Sequence, residues 1–223
     1  MAKIIKNPKE KMLFFPDGKL KEKKFVLEGK LEGEYLSYYR SGQVLSHINF
    51  SNGKKNGPAV IYYPTGQIRE KANFINDRME GEYISYFENG NIREHEYYKH
   101  GKLHGRYEIC YKTGQLKEQE NFRNGKFEGE YICYYKNGQI KEKGYFKNDK
   151  RESEYCAYFK SGKLKEKATF KNGKSVGEFL VFTETSIEAQ IMDSEENGSS
   201  RIWEEKDVAD LLGDLKYFDE KQK

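Results

Sequence analysis

Glutamates at multiples of 24 residues are the first side chains in this chain that could do chemistry: Glu22, Glu70, Glu94, Glu118, Glu142 and Glu166. Paired carboxylates act as general acid and base when their surroundings split their pKa values, and inverting glycosidases hold such pairs up to about 9.5 Å apart. On neighbouring hairpins the carboxylates of this row would stand ~10 Å apart at ordinary strand spacing. A catalytic pair, however, breaks the pattern of its surroundings, and this row repeats. Hydrogen bonding or ion pairing within a sheet is the expected role.

The other reactive residue types fare no better as catalysts. Cys110, Cys133 and Cys156 are spaced one residue short of the 24-residue interval, so each moves one position along its strand. Cys110 and Cys156 then face away from Cys133, and the three cannot share a metal. They are expected to be small buried or half-buried side chains, and three cysteines without a framework fit a reducing compartment. His47 and His95 occupy one repeat position two units apart, and His100 and His104 flank one turn; none has a zinc-like spacing, and all are expected at the surface. No nucleophile elbow, P-loop or dinucleotide fingerprint is present. The Gly-Lys after each turn is not followed by a helix, so it is not a phosphate loop. The expectation is therefore no enzyme, no metal, no cofactor and no small-molecule substrate.

Basic residues form a stronger pattern. Lys21, Arg69, Arg93, Lys117, Lys141 and Lys165 make one row, and Lys23, Lys71, Lys143 and Lys167 a second, with Tyr62, Tyr86, Tyr134 and Tyr158 between them. Such a surface can grip nucleic acid or anionic lipid, which makes Arg69, Arg93, Lys117, Lys141 and Lys165 candidate polyanion-binding residues. Glu34, Glu82, Glu130 and Glu154 interrupt that field, so a solvated face of mixed sign is the default. The net charge of +4 also hides an asymmetry: the segment after Phe182 holds 12 acids and 5 bases, and the rest is basic.

These residues need a scaffold, and the spacing supplies one. Units begin at Gly29, Gly53, Asp77, Gly101, Gly125 and Asp149, with partial copies before and after. Glycine recurs at the fifth position (Gly129 in the Gly125 unit, with Ser153 as the exception) and at the fourteenth (Gly138). Asn137-Gly138 reads as a type I′ hairpin turn, and Asn124-Gly125 or Asn148-Asp149 as a second turn joining unit to unit. Two-residue loops would set Gly129 opposite Phe146, Tyr131 opposite Gly144 and Cys133 opposite Glu142 on one face. There a phenylalanine ring could cover the strand glycine. The other face would carry the basic rows, with Tyr134 opposite Lys141 in cation–π contact and equivalent pairs in other units. Tyr35, Tyr83, Tyr107, Tyr131 and Tyr155 share the glutamate face and are expected as exposed anchors for a partner protein. Pro58, Ala59 and Pro64 mark the Gly53 unit as irregular, and Ser46 replaces a ladder glutamate; Pro58 predicts a local edge or bulge.

The pattern G-x-y-x-x-Y-y-x-n-G-q-i-k-x-e-x-x-f-k-n-G-k resembles MORN repeats in their bacterial variant, over roughly Phe14 to Phe182. The resemblance implies an all-β fold: an elongated single-layer antiparallel β-meander of 24-residue hairpin repeats. About fourteen strands would span on the order of 65 Å. Repeat ends need caps, which divides the chain into an N-terminal cap (1–13), the repeat domain (14–182) and an acidic loop with an amphipathic capping helix (183–223). In that last segment Trp203 to Phe218 reads as helix after a loop at Glu195–Ser200. The chain is also similar to YwqK-type antitoxins, which implies a non-catalytic scaffold that binds a partner protein, a toxin or effector, along the sheet face. The alternative is an anionic membrane surface, with nucleic acid less favoured. No apolar run spans a membrane and no leader peptide is evident, so the cytoplasm is the expected location.

Overall fold

The computed structural model describes residues 7–184 and 189–193, and every regular element among them is a β-strand. The helix expected at Trp203–Phe218 and the loop before it lie outside the described residues. The strands are β1 (Lys9–Phe14), β2 (Leu20–Leu27), β3 (Lys30–Tyr38), β4 (Val44–Ser51), β5 (Lys54–Tyr62) and β6 (Ile68–Ile75). There follow β7 (Arg78–Tyr86), β8 (Ile92–Lys99), β9 (Lys102–Leu103), β10 (Gly105–Cys110), β11 (Leu116–Arg123) and β12 (Lys126–Phe127). The last are β13 (Gly129–Tyr134), β14 (Ile140–Lys147), β15 (Lys150–Tyr158), β16 (Leu164–Lys171), β17 (Lys174–Phe182) and β18 (Ala189–Asp193).

The described residues divide into two compact units, one of residues 7–116 and 121–126, the other of residues 117–120, 127–184 and 189–193. In the first, β1 to β8 pair antiparallel in chain order, and β8 then pairs with β9 and β10. In the second, Glu118 and Gln119 pair with Cys133 and Ile132, and β13 to β18 continue antiparallel in chain order. This is the hairpin-by-hairpin meander that short strands with a turn signal every dozen residues favour.

The two turns of each unit exchange the roles expected of them. At Asn137-Gly138 only the glycine is left-handed (φ +85). The Gly138 N–H donates to the Tyr135 carbonyl at 2.9 Å, and the Tyr135 N–H to the Gln139 carbonyl at 2.8 Å. That is a three-residue loop closed by a type I turn with a bulged glycine, not a type I′ turn. The position before this glycine needs no special backbone, which explains why Ser41, Thr65 and Thr113 serve there as well as asparagine. The type I′ geometry lies instead at the unit-to-unit turn, where Asn148 and Asp149 are both left-handed (φ 50 and 67). Glycine or a short Asn/Asp side chain suits that backbone best, although Glu28 (φ 48) and His100 (φ 53) also take the first position.

The extra loop residue moves the register beside the turn. Gly129↔Phe146, Tyr131↔Gly144 and Cys133↔Glu142 pair as expected, but Tyr134 then pairs with Ile140 and not with Lys141. Lys141 is the bulged residue, without a cross-strand partner. A second irregularity sits at the fifth repeat position: from Lys143↔Cys156 the pairing jumps to Tyr145↔Glu152, and Ser153 in the bulge is left-handed (φ 68). The glycines at that position are there for backbone freedom. Gly33 pairs with Phe50 and Gly57 with Phe74, yet a Cβ added at either would meet only Phe25 Cβ at 4.0 Å or Asn49 Cβ at 3.5 Å, so the paired ring does not lie over the glycine. The phenylalanine rings lean on tyrosines instead: Tyr35 on Phe50 and Tyr107 on Phe122, both at 5.9 Å and edge-on. Pro58 falls within the equivalent bulge between β4 and β5, where a missing N–H breaks no ladder bond.

Burial is thin, as a sheet without a second layer requires. Ala59, Phe74, Ile84, Ser46, Ser85 and Glu96 are buried in the first unit, and Cys133, Tyr155, Cys156, Ala157, Ala168, Leu180 and Phe182 in the second. The largest fully buried side chains are Cys156 and Ser85. Cys133 and Cys156 are buried and Cys110 is half-buried, all as free thiols. Burial pushes the Cys156 thiol up to about 11, so it stays protonated.

Candidate partner-binding face

The glutamate row is a structural ladder. Tyr131 donates its hydroxyl to Glu142 Oε1 at 3.2 Å, and Tyr155 from the next hairpin donates to Glu142 Oε2 at 2.8 Å. One carboxylate thus joins two consecutive repeats. Burial, with the Glu142 charge, holds both phenols well above the usual tyrosine range. In the first unit Ser85 donates to Glu94 at 3.2 Å, and Arg93 reaches both Ser85 (3.2 Å) and Glu94 (3.5 Å).

This bonding corrects the expected anchors. Tyr35, Tyr83, Tyr107 and Tyr131 are half-buried, and Tyr155 is only 9% exposed. The rings of Tyr35, Tyr107, Tyr131 and Tyr155 meet phenylalanines edge-on, and the hydroxyls of Tyr131 and Tyr155 are spent on the ladder. The five form the floor of this face, where exposed anchors were expected.

The first basic row is also placed differently. Arg69 pairs with Glu70 at 3.0 Å, Lys165 with Glu166 at 3.0 Å, Arg93 with Glu94 at 3.5 Å, and Lys141 approaches Glu142 at 3.9 Å. The bulge lets these side chains reach the glutamate row, which strict alternation would have kept on the opposite face. Lys117 is half-buried at the same repeat position. The cation–π contacts to Tyr86 and Tyr158 follow from this: they come from the second row, Lys71 over Tyr86 at 5.9 Å and Lys143 over Tyr158 at 6.0 Å. Lys167 is paired with Glu154 at 3.2 Å, and His95 lies between Glu82 (3.5 Å) and Glu108 (3.7 Å).

A groove lies between the Lys21–Glu22 positions of the ladder and Leu45 of the next unit. In the Gly29 unit, Leu45 takes the place of the row base and Ser46 that of the glutamate. Ser46 and Ser37 share a short hydrogen bond at 2.6 Å. The groove has a volume of about 460 Å³ and is lined by Phe15, Lys21, Tyr35, Ser37, Tyr39 and Leu45 among others. The Lys21 ammonium lies over the Phe15 ring at 5.8 Å, while its neighbour Glu22 is held by Lys24 at 2.8 Å. The result is an apolar-floored groove with a cation beside it.

Two sets of residues escaped sequence reasoning. Glutamate at the fourth repeat position accepts from the first N–H of the following type I′ turn: Glu32 from Asn52 at 2.6 Å, Glu128 from Asn148 at 2.9 Å and Glu152 from Asn172 at 2.7 Å. Its recurrence four residues into the unit was the available signal. The eleventh-position tyrosines Tyr39, Tyr63 and Tyr135 each donate to the carbonyl 23 residues on, at 2.7, 2.7 and 2.8 Å. They tie each turn to the next hairpin.

Strand pairs stacked by side-chain ladders, with a groove beside the unit that departs from the rule, define a repeat scaffold with an open sheet face. The chain belongs to the MORN repeat variant family, whose pattern matches residues 31–52, 55–76, 79–100, 103–124, 127–148 and 151–172. Members are generally non-catalytic repeat scaffolds that often bind proteins or membranes. No curated protein matches the sequence. Among solved structures, the crystal structure of TcdB2-TccC3-Cdc42 aligns with 86% of this chain at 11% identity and a TM-score of 0.24. This chain spans 14% of the length of that one.

Proposed function

We propose that this chain is a non-catalytic scaffold that holds a partner protein against its glutamate–tyrosine face, seating an apolar side chain of the partner in the groove at Leu45. The groove carries this reading, because its lining includes Leu45, which stands where most other repeats place a ladder base. Uniform units need no such exception. Lys21 beside the groove favours a partner segment with an acidic residue flanking the apolar one. The role is antitoxin-like: a partner, a toxin or effector, is occluded in the cytoplasm without any chemistry. The pairing of Arg69, Arg93, Lys141 and Lys165 with their own glutamates weighs against lipid or nucleic acid as the main ligand, since those bases are already neutralised.

The test uses tagged full-length chain to capture protein from its native cytoplasm, beside the variant Leu45→Arg/Ser46→Glu. That variant rebuilds the Ser85–Arg93–Glu94 arrangement of another unit, so it fills the groove with a combination the fold already accepts. A stoichiometric protein retained by the wild type and lost by the variant supports the reading. A partner held equally by both, or recovery of lipid or nucleic acid alone that is lost at high salt, overturns it.

A further inference from the structure

β1 presents an edge that the internal repeats never leave open. It pairs with β2 from Lys9↔Val26 to Phe14↔Leu20, and among the described residues no strand pairs with its other edge. The first strands of later units, such as β7 and β15, carry the second strand of the preceding unit on that edge. For β7 the pairs are Glu70↔Ser85, Lys71↔Ile84 and Ala72↔Tyr83. With that neighbour present Ile84 and Ser85 are 7% and 0% exposed; Met12 and Leu13, at the same repeat positions, are 49% and 45% exposed, and Phe14 is 52%. Sheet edges are normally guarded by charge. Lys9, Glu10 and Lys11 guard the first half of β1, while Met12, Leu13 and Phe14 leave the second half as an apolar template.

The same chain carries the complementary edge. β18 occupies the slot of a second strand in the last unit, through Phe182↔Ala189, Val181↔Gln190, Leu180↔Ile191 and Phe179↔Met192. Among the described residues it pairs with β17 alone. We propose that β1 of one copy takes β18 of a second copy as its missing neighbour, so that the chain associates head to tail through a repeat junction completed in trans. The internal rule sets second-strand position 18 against first-strand position 9, as in Glu70↔Ser85, and position 19 against 8, as in Lys71↔Ile84. Carried across copies, that register places Gln190 opposite Leu13, Ile191 opposite Met12 and Met192 opposite Lys11. Backbone hydrogen bonds supply the affinity, as in strand addition generally. The contact joins two different surfaces, so it propagates and does not stop at a two-fold dimer. It uses sheet edges, and so is independent of the partner-binding face.

Sedimentation of the full-length chain over a range of concentrations tests this. The wild type is expected to gain mass continuously beyond a dimer as concentration rises. Met12→Lys/Phe14→Lys blocks one edge and Ile191→Lys the other, and each variant alone should remain monomeric. Mixed, the two retain one good edge each and should form a 1:1 dimer and nothing larger. That recovery also shows that both variants fold. A wild type that is monomeric throughout, association that ends at a symmetric dimer, growth unchanged in either variant, or a mixture that stays monomeric would each overturn the proposal. Loss of association with partner capture intact separates its failure from that of the groove reading.

Discussion

The hairpins around Glu142 and those around Ser46 are built on one template and end as different surfaces. In the second unit Glu142 accepts from Tyr131 and Tyr155, and a lysine stands beside each ladder carboxylate. In the first, Leu45 and Ser46 take those two places, the serine closes on Ser37, and a groove remains. Base and acid are replaced together. Removing one alone would have stranded an unpaired charge against half-buried aromatic rings, which is costly. A repeat sheet can therefore make a site by subtraction: regular units set a rigid wall, and one unit leaves out a matched pair.

Refilling the gap is the sharpest way to break this contrast. Leu45→Arg/Ser46→Glu should weaken partner binding about tenfold or more, ~1.4 kcal/mol or above, by titration with the captured partner. Thermal stability should be nearly unchanged. Opening the closed region should show the opposite signature. Glu142→Ala leaves two half-buried tyrosine hydroxyls without their acceptor and should lower the unfolding free energy by about 2–3 kcal/mol in urea titrations. Ser46→Ala, which removes a single neutral bond, should cost about 1 kcal/mol.

Acidity sharpens the comparison further. Glu120 occupies the position held by Gly144 and Ala168 in the next two units. Partial burial, then the charge of Glu118 and a hydrogen bond with it, pushes its pKa up to about 7. The folded chain then binds this proton more tightly than the unfolded chain does. The stabilisation is complete below the unfolded carboxylate range and is lost as pH rises towards about 7. The melting temperature of Glu120→Gln should therefore exceed the wild type's at about pH 8, with the difference shrinking by about pH 4. An equal difference at both pH values would show that the carboxyl does not carry the effect. Ser153→Gly should raise stability by about 1 kcal/mol, since glycine relieves a left-handed backbone at that bulge. The smallest effect belongs to the ladder's outer bases: Lys165→Ala, whose side chain is 46% exposed, should cost under about 1 kcal/mol.

Much of this fold could be read before any coordinates. The 24-residue interval gave hairpin units in chain order, and the pairing of Gly129 with Phe146 and Cys133 with Glu142 followed from it. The ladder role of the glutamates was legible because a catalytic pair is not repeated at every hairpin. The groove was only half visible. Ser46 stood out as a broken ladder position, but nothing in the sequence showed that Leu45, Phe15, Tyr35 and Tyr39 would surround a common space.

Sequence alone determined what depends on local chemistry and period: strands from Tyr and Phe alternation, turns from Asn-Gly and its relatives, and the positions that must be small. Tertiary structure decided which turn was left-handed at both residues and which carried a three-residue loop. That choice turns on hydrogen bonds between strands and not on the dipeptide itself. One extra loop residue then bulged the second strand and brought Arg69, Arg93 and Lys165 to the glutamate row, while hydrogen bonds to Glu142 and contacts with phenylalanine rings hold the expected anchors Tyr131 and Tyr155 inward. A period-of-two reading has no term for a bulge, so the side on which a charge lies, and with it the face able to bind, is fixed only when the strands are paired.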